Sequence, residues 1–208
     1  MNDQHIFTFP PPLKNSQAYR IPLIDGATMS LMVVDCSAQG VKQPVEESKA
    51  AFLKHWMGSM LDVVGDLSYN NFYIAGTHDS GTWDMKNKLI EFWTQDQTID
   101  IAQQLAEGAR VIDVRSGELA DKSDPHDKFI FVHGDFYSNS REYDGLMMVR
   151  DFVDANPYEI VVVDIHSMVK FGGGDYDYEA QRDMILEIFE PAEASYLIGP
   201  EHYGKSLN

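Results

Sequence analysis

Seven side chains stand out because each closes a short apolar run. They are His78 and Asp79 after NFYIAG, Asp113 and Arg115 in ARVIDVR, His133 in KFIFVHG, and Asp164 and His166 in EIVVVDIHS. Two histidines can divide a proton-transfer task, one removing a proton from a hydroxyl and the other giving one to a leaving oxygen. An arginine is a planar donor that stays charged, matches two phosphate oxygens and stabilises charge developing there. Asp79 and Asp113 can orient the imidazoles or help one of them hold its proton. A base, an acid and a cationic clamp are the parts that phosphodiester cleavage by an internal hydroxyl requires. Asp164 and His166 fit a rim position that contacts substrate.

These residues have to be brought together by the elements that carry them. NFYIAG (71–76), ARVIDVR (109–115), KFIFVHG (128–134) and EIVVVDIHS (159–167) are short and β-branched. Such runs suit parallel strands buried on both faces. Side chains two apart on a strand share a face, so Asp113 pairs with Arg115 and Asp164 with His166. In parallel α/β folds the carboxyl ends of the strands form one rim where ligands bind. Helices are predicted over 99–108, with Thr98 at the start and Gly108 at the stop, over 141–155 with Ser140 as cap, and over 178–190. A further helix is expected over 45–63, with two β segments at 19–24 and 29–36 split by Asp25-Gly26. Strands alternating with helices predict an α/β architecture. The proline-rich start and the first β segments make an arm over 1–44, and 45–208 forms the main domain.

Several features carry a plainer expectation. His5, His55, His126 and His202 face solvent, and Trp83 and Trp93 pack. FGGGDYDYE (171–179) matches neither a dinucleotide loop nor a calcium loop and reads as a flexible connection. A sharper reading makes it a rim loop whose tyrosines touch lipid.

Composition narrows the partners. With 16 Lys and Arg against 33 Asp and Glu, the formal charge is −17. That excludes a nucleic-acid surface and simple electrostatic adhesion to anionic lipid. An anionic substrate needs a local positive exception. Cys36 is the single cysteine, so no intrachain disulfide is available and the compartment stays unassigned. The first residues lack the basic-then-apolar order of a signal peptide, and no run has the length of a membrane-spanning helix.

Four segments resemble the X domain of the phosphatidylinositol-specific phospholipase C family, in order and spacing over roughly 70–170: GTHDSGT, GARVIDVR, FIFVHGD and DFVDANPYEIVVVD. The resemblance implies a distorted TIM barrel, with this chain as about its N-terminal half behind an N-terminal extension, that cleaves a phosphoinositide or another phosphodiester lipid during transient contact with a membrane surface. His78 corresponds to the general base for the inositol 2-hydroxyl, and His133, assisted by Asp79, to the general acid for the departing diacylglycerol. Arg115 corresponds to the phosphate-binding arginine of bacterial members, and Asp113 to the carboxylate before it. Calcium-dependent members present two carboxylates on that strand; here Arg115 takes the second place, which implies a metal-free reaction with no cofactor. The alternatives are a Ca2+- or Mg2+-dependent phosphodiesterase on another headgroup and a noncatalytic phosphate- or lipid-binding half-barrel. No later carboxylate is found to orient His78, and His166 has no family equivalent. The barrel's usual length leaves a homo-oligomer or a missing C-terminal half open.

Overall fold

The computed structural model describes residues 17–22, 28–33, 52–59, 66, 74–87, 89, 91–192 and 194–198. The chain divides into two compact units, Met1–Glu47 and Ser48–Asn208. In the first, β1 (Gln17–Pro22) and β2 (Thr28–Val33) pair antiparallel, Gln17 opposite Val33 and Pro22 opposite Thr28. The turn signal Asp25-Gly26, Cys36, His5, His202 and most of the predicted helix over 45–63 lie outside the described residues.

The second unit carries the elements in the order α1 (Trp56–Ser59), β3 (Gly76–Thr77), a 3-10 turn (Thr82–Asp84), α2 (Glu91–Thr94), α3 (Ile101–Ala106), β4 (Val111–Leu119), α4 (Pro125–Lys128), β5 (Phe129–His133), β6 (Phe136–Arg141), α5 (Glu142–Ala155), β7 (Val162–Phe171) and α6 (Tyr178–Phe189). The start of α3 differs from the expectation. Asp100, not Thr98, caps it, its carboxylate accepting from the Gln103 amide at 2.8 Å. Gly108 does end that segment, with φ +103. Ser140 does not cap α5, because β6 runs on through Arg141. Arg141 instead grips Asp144 with two hydrogen bonds of 2.7 and 2.8 Å.

The sheet is mixed where a parallel one was expected. β7 runs parallel to β4 along its length, with Asp113 beside Asp164 and Arg115 beside His166. The other edge of β4 is shared, β3 pairing parallel at Val111 and Ile112 and β5 antiparallel at Ser116 to Glu118. β6, whose polar sequence FYSNSR carries no strand signal, returns antiparallel to β5 through the two-residue turn Gly134-Asp135. Gly134 has φ +57 and Asp135 does not, the pattern of a type II′ turn. His133 therefore reaches the site on a hairpin and not at a parallel rim. β7 is also only half-buried, unlike a strand covered on both faces.

One face of the sheet is sealed. Ile112 and Val114 of β4 and Phe129 and Phe131 of β5 pack with Leu105, Leu146, Val149, Met184 and Ile188 of α3, α5 and α6. Gly145 of α5 permits close packing, since a Cβ there would lie 2.4 Å from the Phe131 ring. Two charged groups lie deep in the fold. Arg110 is fully buried and ion-paired to Glu159 at 2.7 Å, and its Nη atoms donate to the carbonyls of Leu53, Lys54, Leu105 and Ala109. Glu159 also accepts from the Gly58 amide at 2.8 Å, so the pair ties α1 to the sheet. Glu142 accepts from Ser116 Oγ and from Gln181 Nε2 at 2.9 Å, and Tyr176 meets the same serine at 2.7 Å. That contact fixes Tyr176 inside, against Phe129, so the 171–179 segment turns this tyrosine toward the core and not toward lipid. His126, expected only to face solvent, donates to Glu187 at 3.0 Å and stacks on Tyr143.

Candidate active site

The gap on the β4 edge between β3 and β5 is filled by the turn that follows β3. The Ser80 amide donates to the Asp113 carbonyl at 2.9 Å, and the Asp113 amide donates to Ser80 Oγ at 2.9 Å. This splice sets the His78-Asp79 pair directly over Asp113 and Arg115. Asp79 adopts φ +46, a left-handed conformation that Asp tolerates better than most residues. Its amide donates to Asp113 Oδ2 at 2.8 Å, and its carbonyl accepts from the Thr82 amide and hydroxyl. Gly81 is required beside it, since any Cβ would sit 2.1 Å from the Phe131 ring.

Asp113 is the hub of one half of the site. Its Oδ2 lies 3.1 Å from His78 Nδ1, and its Oδ1 accepts from His166 Nε2 at 2.5 Å. Burial pulls this carboxyl upward, but the Asp79 amide and His166 outweigh it and hold it below the ordinary carboxylate range. With Nδ1 facing Asp113, His78 Nε2 is the nitrogen turned toward Asp79 and Arg115. The side chain is 64% exposed, so a ligand can approach the ring. Gln97 donates to the His78 carbonyl at 2.7 Å and steadies the turn from the other side.

Asp79 is the hub of the other half. Arg115 Nε lies 2.6 Å from its Oδ1, off-line enough that both carboxylate oxygens lack a well-aligned hydrogen bond although buried. Its Oδ2 lies 3.6 Å from His78 Nε2 and 3.9 Å from His133 Nε2, so both imidazoles converge on one oxygen. Arg115 Nη2 sits 3.3 and 3.4 Å from the two nitrogens of His78. Burial lifts the Asp79 carboxyl to about 6 against the pull of Arg115, and the neighbouring Asp96 carboxyl lifts it too.

Of the residues singled out in the sequence, His78, Asp79, Asp113, Arg115, His133 and His166 are thus brought together. Asp164 shares their face beside Asp113 but is exposed, and among the described residues its side chain makes no hydrogen bond or ion pair with the cluster. Trp83 packs on Phe131, whereas Trp93 is 73% exposed, contrary to expectation. Three contributors escape the sequence reading: Asp96, Gln97 and the carbonyl of Thr94, which accepts from His133 Nδ1 at 3.1 Å. Thr94 ends α2 and the other two lie between α2 and α3, where no strand end or periodicity flags them. Asp113, read in the sequence as able to orient an imidazole, lies beside His78 Nδ1.

A divalent cation suits this cluster poorly. His78, Asp79 and Asp96 can present one atom each within 4.8 Å of one another. Arg115 already occupies Asp79, and at about 4 Å and an effective dielectric near 20 it opposes an added positive charge by about 4 kcal/mol per unit.

No family model matches the chain. It is 25% identical over 158 residues to PI-PLC X domain-containing protein 3 of Danio rerio, covering 64% of this chain and 47% of that protein. It is 28% identical over 154 residues to 1-phosphatidylinositol phosphodiesterase of Staphylococcus aureus, covering 72% and 42%. A point mutant of the Staphylococcus aureus phosphatidylinositol-specific phospholipase C superposes with a TM-score of 0.60 at 18% identity, over 76% of this chain and half of that one. The chain spans about half the length of the curated relatives it matches. It resembles the phosphatidylinositol-specific phospholipase C X-domain family in sequence and has the α/β fold of about the N-terminal half of that family's distorted TIM barrel.

Proposed function

We propose that the chain cleaves phosphoinositides by intramolecular transesterification. The observation that carries this reading is the convergence of His78 and His133 on one oxygen of Asp79, whose other oxygen faces Arg115. His78 Nε2 takes the proton of the inositol 2-hydroxyl, with Nδ1 held by Asp113. The oxygen so freed attacks phosphorus, the bond from phosphorus to the glycerol oxygen breaks, and His133 Nε2 delivers a proton to that oxygen. The products are a cyclic inositol phosphodiester and diacylglycerol. Arg115 receives the phosphate oxygens and opposes the charge that builds on them. Asp164 and His166 border the same face and are assigned to substrate contact.

Contact with the lipid surface is assigned to an apolar knob beside the site. Leu89, Phe92 and Trp93 are 88, 79 and 73% exposed, and Phe92 and Trp93 meet edge to face at 5.3 Å. Thr94, the next residue, is the one whose carbonyl holds His133. With a formal charge of −17, attraction to anionic headgroups gives way to burial of these side chains.

The test is turnover of phosphatidylinositol vesicles by the purified chain, followed by phosphorus NMR of the cyclic product. His78→Ala and His133→Ala each abolish product, and EDTA leaves the rate unchanged. Undiminished turnover in either variant removes the two-histidine mechanism. Loss in EDTA with recovery in calcium moves the assignment to a metal-assisted reaction.

A further inference from the structure

His133 is held from both sides, by groups with different work to do. Its Nε2 points toward Asp79, His78 and Arg115, the space a phosphate would occupy. Its Nδ1 points away, to the Thr94 carbonyl at 3.1 Å and to Asp96 Oδ2 at 3.4 Å. A carbonyl only accepts, so Nδ1 carries a hydrogen and Nε2 is the atom that exchanges protons with substrate. The titratable and charged groups around the ring are therefore Asp79 and His78, from the turn after β3, Arg115 from β4, and Asp96, from the connection after α2. Asp79 lies on the reacting side, where a leaving group must approach, and is already engaged by Arg115. Asp96 meets the ring at Nδ1, and its carboxyl also neighbours Asp79. Its position is built, since its amide donates to Thr82 Oγ1 at 3.0 Å and that fully buried hydroxyl donates to the Asp79 carbonyl at 2.7 Å.

We infer that Asp96 is a second positioning residue for the proton-donating histidine, acting beside Asp79 by fixing the His133 ring through Nδ1 and favouring its charged form. A carboxylate behind an imidazole stabilises the imidazolium and sets its tautomer. The step stays balanced, because Asp96 neither gains nor loses a proton when His133 Nε2 gives its own to the glycerol oxygen. The inference rests on the two-histidine reading for its catalytic part and on geometry alone for its structural part.

The test compares the full chain with Asp96→Asn and with Asp121→Asn, a surface control whose side chain is 76% exposed. Imidazole nitrogen NMR of the substrate-free protein is the first arm. The His133 imidazolium persists to higher pH in the wild type than in Asp96→Asn, by about one pH unit, and the control matches the wild type. Equal behaviour of all three overturns the inference, whatever the protein cleaves. Turnover of phosphatidylinositol vesicles is the second arm. Asp96→Asn loses about tenfold to a hundredfold in kcat with KM little changed, and the alkaline limb of its kcat profile moves to lower pH. An unmoved limb, or a loss carried by KM, overturns the catalytic part. If the wild type itself has no turnover, the two-histidine reading fails while the NMR arm still decides the role of Asp96.

Discussion

Glu142 shows how far burial alone can move a residue's chemistry. It is fully buried, and the groups that bond it, Ser116 and Gln181, are neutral donors. Burial lifts its carboxyl from the ordinary 4.5 to about 7 in spite of those donors. Between those values the folded protein holds a proton that the unfolded chain has released, so raising pH favours unfolding. Stability is expected to fall as pH rises from about 4.5 to 7, by an amount on the order of 3 kcal/mol from this group. Glu142→Gln should flatten that slope in urea denaturation at pH 5 and pH 8; an equally steep slope would clear Glu142 of the effect. The candidate site was legible at this scale wherever chemistry coincided with the end of an apolar run, as at His78, Arg115 and His133. Asp96 was not, because its importance comes from the Thr82 hydroxyl and the His133 ring, both distant in sequence.

Elements explain why some side chains went against expectation. α2 has four residues, too few to turn an apolar stripe inward, so Phe92 and Trp93 project outward. Burying one such aromatic in a bilayer surface gains about 1.5–3 kcal/mol, or roughly ten- to hundredfold in binding. Phe92→Ala with Trp93→Ala is expected to weaken vesicle binding by at least that factor and to spare turnover of a short-chain monomeric phosphatidylinositol. Equal losses on both substrates would make the knob part of the fold or the site instead. The strands β4, β5 and β7 were readable from β-branched runs. Their directions were not, because a sequence that suits a buried parallel strand also suits a hairpin packed under helices. β6 was invisible for a different reason: it is half-exposed, and its polar residues bond across to neighbours, as Ser138 does to the Asp84 carbonyl at 2.9 Å.

The second unit as a whole depends on contacts that join distant segments. The Arg110–Glu159 pair links α1, the start of β4 and the approach to β7, and both side chains are fully buried. Removing one partner of such a pair leaves an uncompensated charge, at a cost of about 3–5 kcal/mol. Glu159→Ala should therefore lower the melting temperature sharply, and Arg110→Met with Glu159→Met should recover much of the loss; a double variant no better than the single would point to the hydrogen bonds to α1. The α/β class was legible because strand and helix patterns alternate, whereas the mixed sheet arises from which edge of β4 each neighbour meets. The Gly134-Asp135 turn carries the widest consequence. Inserting one residue there would flip the alternation of β6 against β5, which stays in register with β4, and so remove the strand that backs His133. Descendants of this chain are free to lengthen many surface connections, but this corner holds them to a fixed count.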